Sequence, residues 1–133
     1  MTFTPAAAET LKSFFEDTDT HPSDYDGIFT GDLGLVGSKC LYKLLESDGY
    51  SIRDIHNDCG LMIFDRDKQD VHAGGSGCGC AASVLCSTVL PQILSGELEN
   101  VLFMATGALM SPTSGLQGLS IPGVAHVVNV RKK

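Results

Sequence analysis

The stretch Gln69–Leu85, QDVHAGGSGCGCAASVL, decides how this chain is read. Gly74, Gly75, Gly77 and Gly79 fall within six residues, too dense for a helix or a strand, and Gly60 lies a little upstream. Glycine gives up side-chain packing to reach backbone angles, or close backbone approaches, that a Cβ forbids. Where the glycines stop, Cys80, Ala81, Ala82, Val84, Leu85 and Val89 begin a helix. A Gly-rich turn feeding a helix N-terminus aims several N–H groups and the positive end of the helix dipole at one point. Two readings follow. Gly74–Cys78 is either a site for an anion or oxyanion, or a turn whose glycines let helix and strand pack closely.

Upstream of this stretch, Asp65–Gln69 is a charged turn and Leu61–Phe64 reads as a short strand. Tyr25–Thr30 reads as a buried strand closed by Gly31-Asp32. Leu33, Val36, Cys40, Leu41, Leu44 and Leu45 keep the 3.6-residue period, which predicts a helix from about Leu33 to Glu46. Asp32 occupies its N-cap position, and Gly34 and Gly37 weaken its first turns unless something packs closely on them. Gly49 ends that helix, and Ser51–Asp54 is a weak capping box for a single turn. Thr4-Pro5 opens an earlier helix with Ala6–Ala8, Leu11, Phe14 and Phe15 on its apolar face. It stops in the polar loop Asp17–Pro22, where His21 is expected to be solvated.

Downstream, the glycine-led helix is predicted to reach about Leu94. Pro91 kinks it or shortens its last turn, and Gly96 is its C-cap. Asn100–Thr106 lacks polar alternation, so both its faces are expected to be covered. Gly107–Gly123 is a long connection rich in Gly, Ser and Pro, of the kind that is functional or disordered. Val124–Val130 is the last strand, placed to pair antiparallel with Val101–Thr106. The order predicts one α/β domain over residues 1–133, a mixed β-sheet with flanking helices and a C-terminal antiparallel strand pair. No internal repeat is visible.

A chain of 133 residues with 43% apolar and 19% charged residues has globular composition. Its net charge of −7 repels phosphate backbones and anionic lipid, so neither nucleic acid nor a membrane surface is an expected partner. The basic tail Arg131-Lys132-Lys133 reads as a solvated end. The sequence shows no signal peptide and no bilayer-length apolar run. Its five cysteines are read as reduced thiols, which makes the cytoplasm the expected compartment.

Cys78 and Cys80, with Cys59 and His72, invite a metal site. Zinc ligands are normally spaced more widely than C-x-C and come in two pairs, so no metal is expected. Cys40, Cys80 and Cys86 fall on apolar helical faces, where cysteine packs as a small hydrophobe. Cys78 differs, because a first-turn thiolate is stabilised by the helix. A Cys78–His72 nucleophilic pair is one reading, a small residue in a tight turn the other. His72 stands at the start of the glycine turn as a ligand, a base or an orienting group. His126, in an apolar strand, reads as a core histidine.

YDGIFTGDLGLVG, CGLMIFD, QDVHAGGSGCGC, VLFMATGALMSP and SIPGVAHVV together resemble the C-terminal half of the stage V sporulation protein AD family. The resemblance covers about Pro5 to Val130. It implies a thiolase-like half-domain belonging to a spore system for dipicolinic acid. Ketoacyl-synthase-like enzymes of that superfamily carry His-Gln-Ala-Asn and Gly-Asn-Thr-Ser at two loops. The matching positions here read Gly31-Asp32-Leu33-Gly34 and Gly74-Gly75-Ser76-Gly77. Neither the histidine nor the asparagine is kept, and the superfamily's nucleophilic cysteine belongs to an N-terminal half outside this sequence. An aspartate would oppose an oxyanion. The resemblance therefore implies binding without catalysis and without a cofactor, with an acyltransferase built on Cys78 and His72 as the alternative.

The same resemblance puts Asp32, His72, Gly74, Gly75, Ser76, Gly77 and Cys78 at the ligand site. Dipicolinic acid is a planar dicarboxylate. The glycine-turn N–H groups, His72 and Arg66 are the expected donors, while Asp32 caps its helix or binds an accompanying cation such as calcium. Expected partners are the membrane proteins of the same sporulation system, and a second copy or a separate N-terminal half packed on the small-residue face of the Cys80–Leu94 helix. A third reading is a structural half-domain whose pocket is incomplete alone. The expected location is cytoplasmic, peripheral to the spore inner membrane.

Overall fold

In the computed structural model, which describes residues 3–75, 77–109 and 111–133, four strands form one sheet in the order β2-β1-β3-β4. The strands are β1 (Gly27–Thr30), β2 (His56–Asp58), β3 (Asn100–Ala108) and β4 (Gly123–Arg131). β1 runs parallel to both β2 and β3, and β4 is antiparallel to β3 over nine residue pairs, from Asn100↔Arg131 to Ala108↔Gly123. This is the mixed α/β sheet with the antiparallel C-terminal pair that the order of elements predicts.

Helices α1 (Thr4–Thr18) and α2 (Gly34–Ser47) cover one face of the sheet. Ala7, Leu11 and Phe15 of α1 and Leu41 and Leu45 of α2 pack there on Ile28, Leu102, Met104 and Ala125. The other face carries Phe29, Val101 and Phe103, under Cys80 and Val84 of α4 (Cys80–Val84) and Ile93 of α5 (Leu90–Ser95). Alternate residues of one strand face opposite ways, so the unbroken apolar run of β3 feeds both layers. The covering is incomplete. β3 is buried on both sides from Val101 to Met104, but Ala105 is exposed.

α4 and α5 are joined by a π-helical turn, Leu85–Val89, so helical structure passes through Pro91 as far as Ser95. Pro91 donates no N–H and its ring crowds the carbonyl one turn back. The helix widens just ahead of it rather than stopping. Gly96 then closes α5 in the left-handed conformation at φ 85°, as predicted.

Four expectations are corrected. Leu61–Phe64 is not a strand, because Cys59–Ile63 is the short helix α3 and the strand is His56–Asp58. The sheet takes the polar segment since the side chains of His56 and Asp58 find buried partners on β1 and α2, whereas Met62 and Ile63 stay largely exposed. His126 is exposed and not a core residue, since on β4 it is Ala125 that is buried under α1. Cys40 and Cys86 are exposed, and of the three helical cysteines Cys80 alone is buried. The connection after β3 is also shorter than expected. β3 and β4 extend into it, and α6 (Pro112–Leu116), capped by the Ser111 hydroxyl, fills its middle.

The glycines of α2 and the Gly-rich stretch meet each other. Gly34 has φ +69° and a Cβ there would stand 2.8 Å from the Ala73 carbonyl oxygen, so only glycine fits. A Cβ on Gly60 would lie 2.4 Å from the Gly75 carbonyl oxygen. Gly60→Ala is expected to cost about 1–3 kcal/mol by overpacking against backbone, measured by urea unfolding. The Ser38 hydroxyl on α2 is buried and has no hydrogen-bond partner among the described residues. Ser38→Ala is therefore expected to leave stability unchanged or to raise it by about 1 kcal/mol, in the same assay.

Candidate functional site

β1 and β2 end side by side, and Thr30 pairs in register with Asp58. Asp58 is 2% exposed, and its carboxylate is satisfied by three donors. Oδ1 accepts from the Thr30 hydroxyl at 2.7 Å and from the Leu33 N–H at 2.8 Å, and Oδ2 accepts from the Gly34 N–H at 3.0 Å. The next N–H of α2, that of Leu35, donates to the Ala73 carbonyl at 2.7 Å. The leading donors of α2 are thus taken by a carboxylate from β2 and a carbonyl of the Gly-rich stretch. A buried anion at a helix N-terminus is stabilised by both the N–H groups and the dipole.

The cap expected from Asp32 is therefore supplied by Asp58. Leu33 holds the N-cap position and makes no side-chain cap. The Asp32 carboxylate instead accepts from the Thr106 hydroxyl at 2.9 Å, which ties the β1–α2 turn to the end of β3. Asp32 stands one residue too early for the helix that forms.

Behind Thr30 lies His56, 8% exposed. Its Nε2 is 2.8 Å from the Thr30 hydroxyl and its Nδ1 is 2.8 Å from the Tyr42 hydroxyl. Burial pushes the His56 imidazole down to about 4, against an ordinary value of 6.5, with the Asp58 carboxylate opposing. Burial also pushes the Cys59 thiol up to about 12, with the charges of Asp58 and Asp32 and the neighbouring Cys80 adding to it. The Cys80 thiol is raised for the same first reason, and its Sγ lies 3.9 Å from the Gly31 carbonyl oxygen. Both are packed thiols and not nucleophiles.

Above these strand ends is an open cavity of about 450 Å³. Asp32, Gly77, Cys78, Phe103, Thr106 and Gly107 contribute to its lining. The structure thus brings together Asp32, Gly77 and Cys78 of the predicted site. Gly74 and Gly75 are not among its lining residues and pack instead on Leu61 and on the Phe64 ring. Ser76 lies outside the described residues. His72 does not line the cavity. Its side chain is 89% exposed, its φ is +49°, and its Nδ1 is 3.5 Å from Asp70 Oδ1. Arg66 is likewise exposed and away from the lining. Among the described residues no group of three or more His, Cys, Asp or Glu is placed to hold a metal ion.

Thr106, Asp58, His56 and Tyr42 went unseen in the sequence. The signal for two of them was present: His56 and Asp58 alternate about Asn57, the spacing of two side chains on one face of a strand.

A family profile for stage V sporulation protein AD matches residues 1–131. The chain belongs to the stage V sporulation protein AD family. It is similar to the stage V sporulation protein AD of Bacillus subtilis (strain 168), with 48% identity over 124 residues. That alignment covers 93% of this chain and 36% of the Bacillus protein, so the chain spans about a third of that relative's length. Among the described residues, no helix of this family member is long and apolar enough to cross a membrane.

Acid should expose the cost of burying His56. The folded ring resists a proton that the unfolded chain accepts near 6.5, so unfolding takes up a proton at lower pH. The contribution of the neutral ring is complete above pH 6.5 and falls away as the pH drops towards 4, by about 3 kcal/mol in total. Urea midpoints measured from pH 7 to pH 4 check this, with His56→Gln flattening the dependence.

Proposed function

We propose that this chain serves sporulation as a non-enzymatic binding protein for dipicolinic acid, held in the cavity between Asp32 and Cys78. The carrying observation is that cavity, about 450 Å³ and lined by Asp32, Thr106 and Cys78 together with apolar side chains, in a chain of this family. Its volume falls within the range of small-molecule sites. A planar aromatic ring suits the walls of Phe103, Ala82 and Leu85.

Among the described residues that line it, none is Lys or Arg. Two carboxylates entering beside Asp32 need a counter-charge, and a calcium ion bridging Asp32 to the ligand supplies it. The bound species is then the calcium chelate and not the free acid. In the thiolase-like layout Gly31 and Gly75 stand where the histidine and asparagine act in acyl transfer, which favours binding over chemistry. Uptake into or release from the spore would follow through membrane proteins of the same system, with this chain peripheral to the spore inner membrane.

A second reading has its own support. Val128 is 54% exposed and Leu94 80% exposed, and β3 opens to solvent at Ala105. Apolar surface of this kind marks a contact. A second copy or a separate N-terminal half would then complete the cavity.

Calorimetric titration with dipicolinic acid, with and without calcium, tests the first reading. The expected outcome is micromolar binding in calcium alone, weakened at least tenfold by Asp32→Asn and abolished by Ala82→Phe. Binding that ignores calcium or Asp32→Asn overturns the chelate. No binding by the folded chain transfers the site to the assembled protein and supports the second reading.

A further inference from the structure

One set of polar groups is not used by the cavity: Thr30, His56 and Asp58, which are buried, and the hydroxyl of Tyr42, whose ring is partly buried against the core under α2. The Thr30 hydroxyl has a single proton. Asp58 Oδ1 lies 2.7 Å away and only accepts, so that proton goes to Asp58. Thr30 Oγ1 must then accept from His56 Nε2 at 2.8 Å, which places the ring proton on Nε2. A neutral ring protonated at Nε2 has a bare Nδ1, so the Tyr42 hydroxyl at 2.8 Å donates to it. One arrangement satisfies all three bonds, and in it every donor points toward Asp58. Bonds aligned in one direction polarise one another.

We propose that this one-directional relay is a latch on the first turn of α2, and with it on Asp32, and that a second proton on His56 releases it. The connection is short: Asp58 bonds Thr30, Leu33 and Gly34, and Asp32 sits between Thr30 and Leu33 in the chain. An added proton goes to Nδ1. Tyr42 must then turn from donor to acceptor, and the imidazolium competes with the helix N–H groups for the Asp58 charge. From β1 the ring meets neutral Thr30, and from its own strand the Asp58 carboxylate. From α2 it meets Tyr42, over whose ring the Arg53 guanidinium lies at 4.8 Å while also pairing with Glu46. The latch closes α2 in neutral solution and loosens it in acid.

The test needs no ligand. Long-range proton–nitrogen NMR of the labelled chain reads the tautomer of each histidine, with the exposed His21, His72 and His126 as internal references. His56 is expected to be protonated at Nε2 alone at neutral pH. On acidification the amide signals of Asp32, Leu33 and Gly34 are expected to move with the same midpoint as the His56 ring. Tyr42→Phe takes away the acceptor that a protonated Nδ1 needs, the stronger of the two bonds Tyr42 can make to the ring, and should lower that midpoint by about one pH unit. An Nδ1-protonated ring, or amides that move independently of His56, overturns the latch. The wild-type titration decides this even if Tyr42→Phe does not fold.

Discussion

The Asp58 carboxylate is the constraint on which the site depends. A buried anion without partners and a helix N-terminus without a cap are each expensive. Here each removes the cost of the other, since two of the three bonds to Asp58 come from the first N–H groups of α2. The third comes from Thr30, which obliges β2 to pair with β1 in the register that sets Asp58 opposite Thr30. The polar segment His56–Asp58 is a strand for that reason. The position of α2 follows, and so does that of the Gly31-Asp32 turn that precedes it.

The Gly-rich stretch completes the same turn from outside. Ala73 accepts the Leu35 N–H, and Gly60 and Gly75 let two backbones approach closer than any Cβ allows. Of the two readings of these glycines, close packing describes Gly74 and Gly75. The consequence for function is one of placement. Gly74 and Gly75 pack on the segment from Gly60 to Phe64, and the cavity is met by Gly77 and Cys78 and by Ala81, Ala82 and Leu85 that follow them.

Periodic elements were legible in the sequence because their signal is local. α1 and α2 repeat an apolar residue at the helical period, β1, β3 and β4 are predominantly apolar runs bounded by polar or glycine-rich turns, and all five found their places. Elements whose identity rests on distant partners were not legible. Leu61–Phe64 looks more like a strand than His56–Asp58 does, and only the partners on β1 and α2 reverse that preference. His126 sits in an apolar strand and still faces solvent, because a strand with one covered face exposes every second residue. At the site, Asp32 and Cys78 were found through the family's motif, and the structure sets both at one cavity. Thr106 was not, since it reaches Asp32 across 74 residues of sequence.

The uncharged character of the C-terminal strands gives the open side of the site a physical meaning. From Val101 to Val130 the sequence contains no Asp, Glu, Lys or Arg, in a chain whose net charge is −7. Solvated surfaces are normally covered with charge, yet this stretch presents Leu109, Leu116, Leu119 and Val128 to water. It also supplies Phe103, Thr106 and Gly107 to the cavity. Cavity lining and uncharged surface thus share the residues of β3. On the proposed reading, whatever covers that surface also walls the cavity, so ligand binding and assembly are coupled by sharing a boundary. Coupling of this kind acts in both directions: a ligand that orders the shared wall tightens assembly by the factor by which assembly tightens the ligand.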